Sequence, residues 1–285
     1  MIKGIILDVD GVIIGEKIGF NSPYPHPEVL KALKFIRQKG IFISLCTAKP
    51  HFAIDKIIKD AQLDNYHISD GGGVIINPIT NKIVKQHLID SKIASIVIKT
   101  FIKQSVYIEY YTVNDYVIQK DQVSKITKDH QHVLQKPPQV VKSLSESALL
   151  AKVTKLMPIA KNEDDRKNLE KIFEPFNDKL TLSWGVHPVI LPLQFGIITA
   201  PGISKKEGAK DISESTKVPF KNILGVGDSL SDWQFIEMCQ YGAAMGNAKQ
   251  ELIDLVQSKG SNGFIGPSVD KNGILKILQH FKLIK

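Results

Sequence analysis

Short apolar runs alternate with longer amphipathic stretches through the first part of the chain. "IKGIILDVD" is an apolar run bounded by a glycine, the pattern of a strand buried on both faces. "HPEVLKALKFIRQKG" sets Val29, Leu30, Leu33 and Ile36 at helical spacing, and Gly40 closes the helix. "IFISLCT" predicts the next buried strand, and "PHFAIDKIIKDAQL" the next helix, with Pro50 near its first turn. "YHISDGGGVIINPITNKIVKQ" then predicts a strand, a glycine turn and a hairpin. Strands separated by helices imply parallel βαβ units and a doubly wound sheet.

The pattern changes near Lys85. "SVYIEYYTVNDYVIQ" carries Tyr107, Tyr110, Tyr111 and Tyr116 around "VND", which predicts an antiparallel hairpin. "AKVTKLMPIA" predicts a strand, and "NEDDRKNLEKIFEPF" an amphipathic helix with the acidic first turn that the macrodipole favours. "KLTLSWGVHPVILPL" returns as strand-like pieces. After Gln194 the alternation resumes with helix "SKKEGAKDISEST", strand "NILGVGD", helix "SDWQFIEMC" and two further helices. The expected architecture is an α/β core, residues 1–84 and 194–285, interrupted by a smaller α+β domain at 85–193.

Composition narrows the class. The 285 residues are 43% hydrophobic and 23% charged, enough for a full core. No apolar stretch reaches the roughly 18 to 20 residues of a membrane span. No signal-peptide pattern precedes the first strand. Cys46 and Cys239 form no framework and are expected as reduced thiols of a cytoplasmic protein, with a bridge between them as the alternative. The formal charge of +8 fits either a phosphate-rich partner or lysines spread over solvated helix faces. Lys31, Lys34, Lys56 and Lys59 lie in helical polar stripes, and no basic block or zinc-finger spacing occurs, so nucleic acid is not an expected partner.

Chemistry gathers where the predicted strands end. In an open parallel sheet, ligands bind beyond the carboxyl ends of the strands. The first strand ends at Asp8 and Asp10, and the second at Cys46, Thr47, Ala48 and Lys49. The late strand "ILGVG" ends at Asp228, followed by Ser229, Ser231 and Asp232, and "GISKKEG" puts Lys205 and Lys206 at a helix start. Four carboxylates at one rim repel one another unless a cation joins them. Mg²⁺ is the cation such oxygen ligands hold, and neither cysteine has the partner spacing of a zinc site.

"DVDGV", "LCTAK", "GISKKEG" and "GVGDSLSD" resemble, in order, the four motifs of the haloacid dehalogenase superfamily of phosphotransferases. The insertion resembles the type IIB cap of Cof-like sugar phosphatases, as do "AAMGNAKQEL" and "GSNGFIG". The resemblance implies Asp8 as nucleophile and Asp10 as general acid and base. Thr47, Lys205 and Gly11 would contact the phosphoryl group, with Lys206 the alternative lysine. Asp8, the Asp10 carbonyl and Asp228 would hold Mg²⁺, with Asp232 as a direct or indirect helper. Taken alone, Thr47 also fits a helix cap, and Asn247 fits either the site or a turn.

Three positions depart from the family pattern. Thr47-Ala48-Lys49 stands where relatives often carry Thr-Gly-Arg, which loses a bidentate fork. Gly71-Gly72-Gly73 replaces Asn-Gly-Ala, and Ser231 replaces an Asn. Substrate choice is expected in the cap, with Tyr110, Tyr111, Trp184 and His187 as candidates. The expected substrate is a small phosphorylated metabolite, foremost a sugar phosphate. Flavin mononucleotide, pyridoxal phosphate and phosphoglycolate-type acids are the alternatives, and a silent phosphometabolite-binding regulator is the non-enzyme reading. A monomer or homodimer without membrane attachment is expected.

Overall fold

The structure, a computed structural model, describes residues 1–285, the Pro188 side chain excepted. The chain opens with β1 (Gly4–Leu7), α1 (Pro27–Gln38), β2 (Phe42–Leu45) and α2 (His51–Asp60). Three antiparallel strands follow, β3 (His67–Ser69), β4 (Val74–Asn77) and β5 (Lys82–Gln86). The insertion comprises α3 (Ser91–Lys103), β6 (Ile108–Tyr111), β7 (Tyr116–Gln119), α4 (Lys125–Leu134), β8 (Gln139–Val141), α5 (Leu144–Leu149), β9 (Lys155–Ala160), α6 (Glu163–Phe173), β10 (Thr181–Val186) and β11 (Gln194–Thr199). The chain then returns through α7 (Lys205–Thr216), β12 (Ile223–Gly227), α8 (Leu230–Ile236), β13 (Tyr241–Ala244), α9 (Gln250–Gln257), β14 (Gly263–Ile265) and α10 (Gly273–His280).

The core sheet runs β14-β13-β12-β1-β2 with every pair parallel. All four residues of β1 and of β2 are buried, as a sheet covered on both faces requires. Sequence order reverses between β1 and β12, where Leu7 lies opposite Val226 on one side and Leu45 on the other. That reversal opens a crevice beyond the strand ends.

The second sheet, β10-β11-β9-β6-β7-β8, is antiparallel except for the parallel pair β7 and β8. Its strands alternate between two clusters. Ile108, Tyr110, Val117 and Leu156 pack with Phe101, Ala148 and Phe173 of α3, α5 and α6. Tyr111, Tyr116, Met157 and Ile197 pack on the other face with Ala48 and Phe52 of the core. The sheet is therefore a cap lying on the core with one face and carrying its helices on the other.

Two expected boundaries shift. β5 runs through residue 84 to Gln86 and pairs with β4, so the first core segment extends past 84. β11, expected as returning core, pairs with β9 and β10, so the cap continues past 193 to Thr199. An apolar run such as "QFGIIT" records burial and not which sheet supplies its partners. Among the described residues, no helix is long and apolar enough to cross a membrane. Cys46 and Cys239 are buried free thiols.

Candidate active site

Asp8 and Asp228 follow the adjacent strands β1 and β12 at the crevice. The Asp8 amide donates to Val226 O at 3.1 Å, and its Oδ1 accepts from the Val9 amide at 2.7 Å. The turn that follows depends on Gly11, whose φ of +75° is unfavourable for side chains. A Cβ there would lie 1.9 Å from Asp228 Oδ2, so the glycine makes room for that carboxylate. Asn247 closes the crevice behind it. Its Nδ2 donates to Gly11 O at 3.0 Å and lies 3.3 Å from Asp228 Oδ2, while its Oδ1 accepts from the Val269 amide at 2.9 Å.

Lys205 occupies the first turn of α7, whose cap Ser204 accepts from the Glu207 amide. Gly72 lets the loop after β3 press against that cap, because a Cβ would fall 2.3 Å from Ser204 O. Lys205 Nζ donates to Asp8 Oδ2 at 2.7 Å and to Asp232 Oδ1 at 2.5 Å, all three groups being almost fully buried. Lys206 instead pairs with Glu237 at the surface, so of the two lysines Lys205 is the one that lies against Asp8. Asp232 Oδ2 accepts from the amides of Asp228 and Ser229 and from the Ser229 hydroxyl, at 3.0, 2.9 and 2.9 Å. Both of its oxygens are thus committed, and it braces the Asp228 turn. Burial, and then repulsion from Asp232, push the Asp8 carboxyl above the usual carboxylate range against the pull of Lys205. Burial, then Asp232 and Asp8, push Asp228 well above the usual carboxylate range.

Thr47 follows β2 beside Asp8, and its Oγ1 accepts from the Lys49 amide at 3.1 Å. It does not cap α2, whose cap position is Pro50. Lys49 Nζ lies 3.3 Å from Asp10 Oδ1 and donates to Val133 O of the cap at 3.3 Å. His187 Nε2 approaches the same Asp10 oxygen at 3.4 Å. Neither contact is an aligned hydrogen bond, which leaves this buried oxygen able to accept another donor. Burial raises the Asp10 pKa, but Lys49 and His187 outweigh it and hold the carboxyl below the usual range.

Two cap candidates face away. Tyr110 packs in the helix-facing cluster and its hydroxyl bonds the Ser147 hydroxyl at 2.7 Å. Trp184 packs on the same face, with the Arg166 guanidinium 5.2 Å from its ring. Strand alternation puts both on the far side of the cap sheet from the crevice, which removes them as direct substrate contacts. Tyr111 is on the core-facing side, and His187 reaches the crevice. Sequence reasoning overlooked Asp70 and Lys155, a buried pair joining cap to core at 2.9 Å.

Asp8, Asp228 and Asp232 each bring a carboxylate oxygen within 4.8 Å of the others, with Lys205 as the one cation bonded among them. Such a cluster of carboxylate oxygens, whose burial and mutual repulsion raise the pKa of Asp8 and Asp228, fits a hard divalent cation such as Mg²⁺.

The sequence pattern of the haloacid dehalogenase-like hydrolases matches residues 5–278. Phosphatase YwpJ of Bacillus subtilis is 22% identical over 98% of this chain and 99% of its own. The 5-amino-6-(5-phospho-D-ribitylamino)uracil phosphatase YwtE of the same organism is 23% identical over 95% of each. A solved subclass IIB sugar phosphatase superposes with a TM-score of 0.78 at 19% identity, over 99% of this chain and all of the other. That superposition spans cap as well as core, and the family match runs from β1 into α10, taking in every strand end at the crevice. The chain therefore belongs to the haloacid dehalogenase-like hydrolase family.

Proposed function

We propose that this haloacid dehalogenase-like phosphatase is a Mg²⁺-dependent hydrolase of small phosphate monoesters, with a sugar or polyol phosphate as substrate. The observation that carries the reading is the buried bridge from Asp8 through Lys205 to Asp232, facing Asp228 where the strand order reverses. A sugar or polyol phosphate is favoured by the names of the subclass IIB sugar phosphatase and of YwtE, whose substrate carries phosphate on a ribityl chain.

Asp8 attacks phosphorus in line to form an aspartyl phosphate, and the leaving oxygen takes a proton from Asp10. Water then attacks the aspartyl phosphate as Asp10 accepts its proton, releasing phosphate and restoring Asp8. Lys49 and His187 favour ionised Asp10, the form that accepts a proton in this second step. The entering phosphate dianion is a like charge, and it raises the Asp10 pKa for the first step. Lys205 and Thr47 hold the phosphoryl oxygens as charge spreads over them. Asp8, Asp228 and the Asp10 carbonyl would hold Mg²⁺, which supplies neutralisation of phosphate charge.

Hydrolysis of an aryl phosphate and of a panel of sugar and polyol phosphates tests the reading, with wild type and Asp8→Asn. Metal-dependent turnover that disappears in the variant is expected. Equal turnover by the variant would refute the nucleophile, and a panel without turnover would refute the substrate class.

A further inference from the structure

Lys155 sits at the start of β9 in an otherwise apolar run, and its side chain has no solvent exposure. Its Nζ donates to Ala48 O at 2.8 Å and lies 2.9 Å from Asp70 Oδ1, an ion pair without an aligned hydrogen bond. The neighbouring Thr154 hydroxyl donates to Asp70 Oδ2 at 3.1 Å. Tyr111 floors the site, with the ammonium 4.2 Å from its ring centroid. On the core side, the Asp70 amide donates to Lys49 O and the Gly71 amide to Thr47 O, each at 3.0 Å. Cap residues thus grip residues 47–49 from above through Ala48 O, and from the side through Asp70.

We propose that Lys155 and Asp70 form a brace by which the cap sets the geometry of residues 47–49, making Lys155 a positioning residue for phosphoryl transfer. The role in phosphoryl transfer rests on the function proposed above. Two buried side chains of opposite charge are costly to bring together and are not needed to fill an apolar seam already built from Phe52, Tyr116 and Ile197. Their contacts converge on the stretch that carries Thr47 and Lys49. An open cap would withdraw the ammonium from Ala48 O, so the phosphate-contacting loop is fully braced only when the cap is closed.

The test uses the full-length, Mg²⁺-loaded protein. Lys155→Met removes the charge at similar length, and Asp70→Asn suits the positive φ of +51°. The double variant leaves no buried charge unpaired, so it reports on positioning even if either single variant fails to fold. Its fold is checked by circular dichroism and its denaturation midpoint. The expected result is a folded protein whose kcat on an aryl phosphate falls about 10- to 100-fold, since small misplacements at a reacting centre have that effect. Affinity for vanadate, a mimic of the five-coordinate phosphoryl group, is expected to weaken by a similar factor. A folded double variant with kcat and vanadate affinity both within about threefold of wild type would overturn the brace. If wild type hydrolyses no ester, the proposed function fails, and calorimetric vanadate affinity still decides the brace. Wild type that does not bind vanadate would overturn both.

Discussion

Gly11→Ala isolates how the turn after β1 makes room for Asp228. Two separate costs arise. The first is conformational, because an L side chain at φ +75° costs about 1–2 kcal/mol. The second is steric. The added methyl would meet Asp228 Oδ2 at 1.9 Å, Cγ at 2.4 Å and Oδ1 at 2.9 Å. Ordinary contact requires the carboxylate to retreat by about 1.5 Å, in a buried site where such overpacking costs about 1–3 kcal/mol. The total is about 2–5 kcal/mol. All three clashing atoms belong to the Asp228 side chain beyond Cβ. In an Asp228→Ala background these three closest clashes are gone, and the cost should fall toward the conformational part, about 1–2 kcal/mol. Urea denaturation of the four proteins in EDTA measures this cycle. In the otherwise wild-type enzyme the same displacement should raise the Mg²⁺ concentration for half-maximal turnover and lower kcat by about 100-fold. An equal stability cost of Gly11→Ala in both backgrounds would refute the packing argument, whatever happened to activity.

Lys205→Ala should reduce kcat by about 10²- to 10³-fold through loss of a buried donor, while Lys206→Ala, paired only with Glu237 at the surface, should leave it unchanged. The comparison fails if the two variants behave alike. Tyr110→Phe should lose about 1 kcal/mol of stability with its bond to Ser147, yet keep KM; a large KM change would return Tyr110 to the substrate site. His67 is buried and neutral, with Nδ1 accepting from the Leu45 amide and Nε2 facing Leu63 O. Burial pushes its pKa down to about 4 from the ordinary 6.5. Its neutral form therefore supports the fold fully above pH 6.5. As pH falls from 6.5 to about 4 the unfolded chain takes up the proton first, and about 3 kcal/mol is lost before the effect levels off. Denaturation midpoints against pH, with His67→Gln lacking this component, check it; identical profiles would dismiss it.

The crevice was legible because its residues come from strand ends. A parallel strand covered on both faces must be an apolar run, so "GIILDVD" marks in sequence where burial stops and chemistry begins. Thr47 and Asp228 were reached by the same rule and Lys205 as the start of a helix, and the structure brings Asp8, Lys205, Asp228 and Asp232 together. Lys205 over Lys206 could not be settled that way, since both open one helix and only their partners tell them apart, Asp8 and Asp232 for the first and Glu237 for the second. β13 and β14 were missed because "YGAA" and "GFI" are too short and too small to show a period.

The cap resisted for a different reason, and Tyr110 beside Tyr111 shows it. Both residues are aromatic, adjacent and buried, yet one faces the helices and the other faces the core. Alternation predicts that they part company, but it cannot say which face meets the active site until the sheet is placed. Lys155 is harder still. In "AKVTKLMPIA" Lys155, like Lys152 before it, looks like a solvated edge, and nothing nearby shows that Ala48 O and Asp70 from the core will surround it. Strand-end chemistry is fixed by local rules, because each residue's position follows from its own strand. Cap-to-core chemistry depends on how two sheets dock, which links residues far apart in the chain. On the function proposed above the strand ends hold the phosphate, and the cap residues that reach the crevice meet the rest of the substrate, His187 approaching Asp10 as well. By that reasoning, His187 should govern substrate choice more than Trp184, although both lie in "SWGVHP". His187→Ala should shift relative kcat/KM across a phosphate-ester panel, and Trp184→Ala should lower stability while preserving the ranking. The reverse outcome would mean that the cap sheet presents its other face to the substrate.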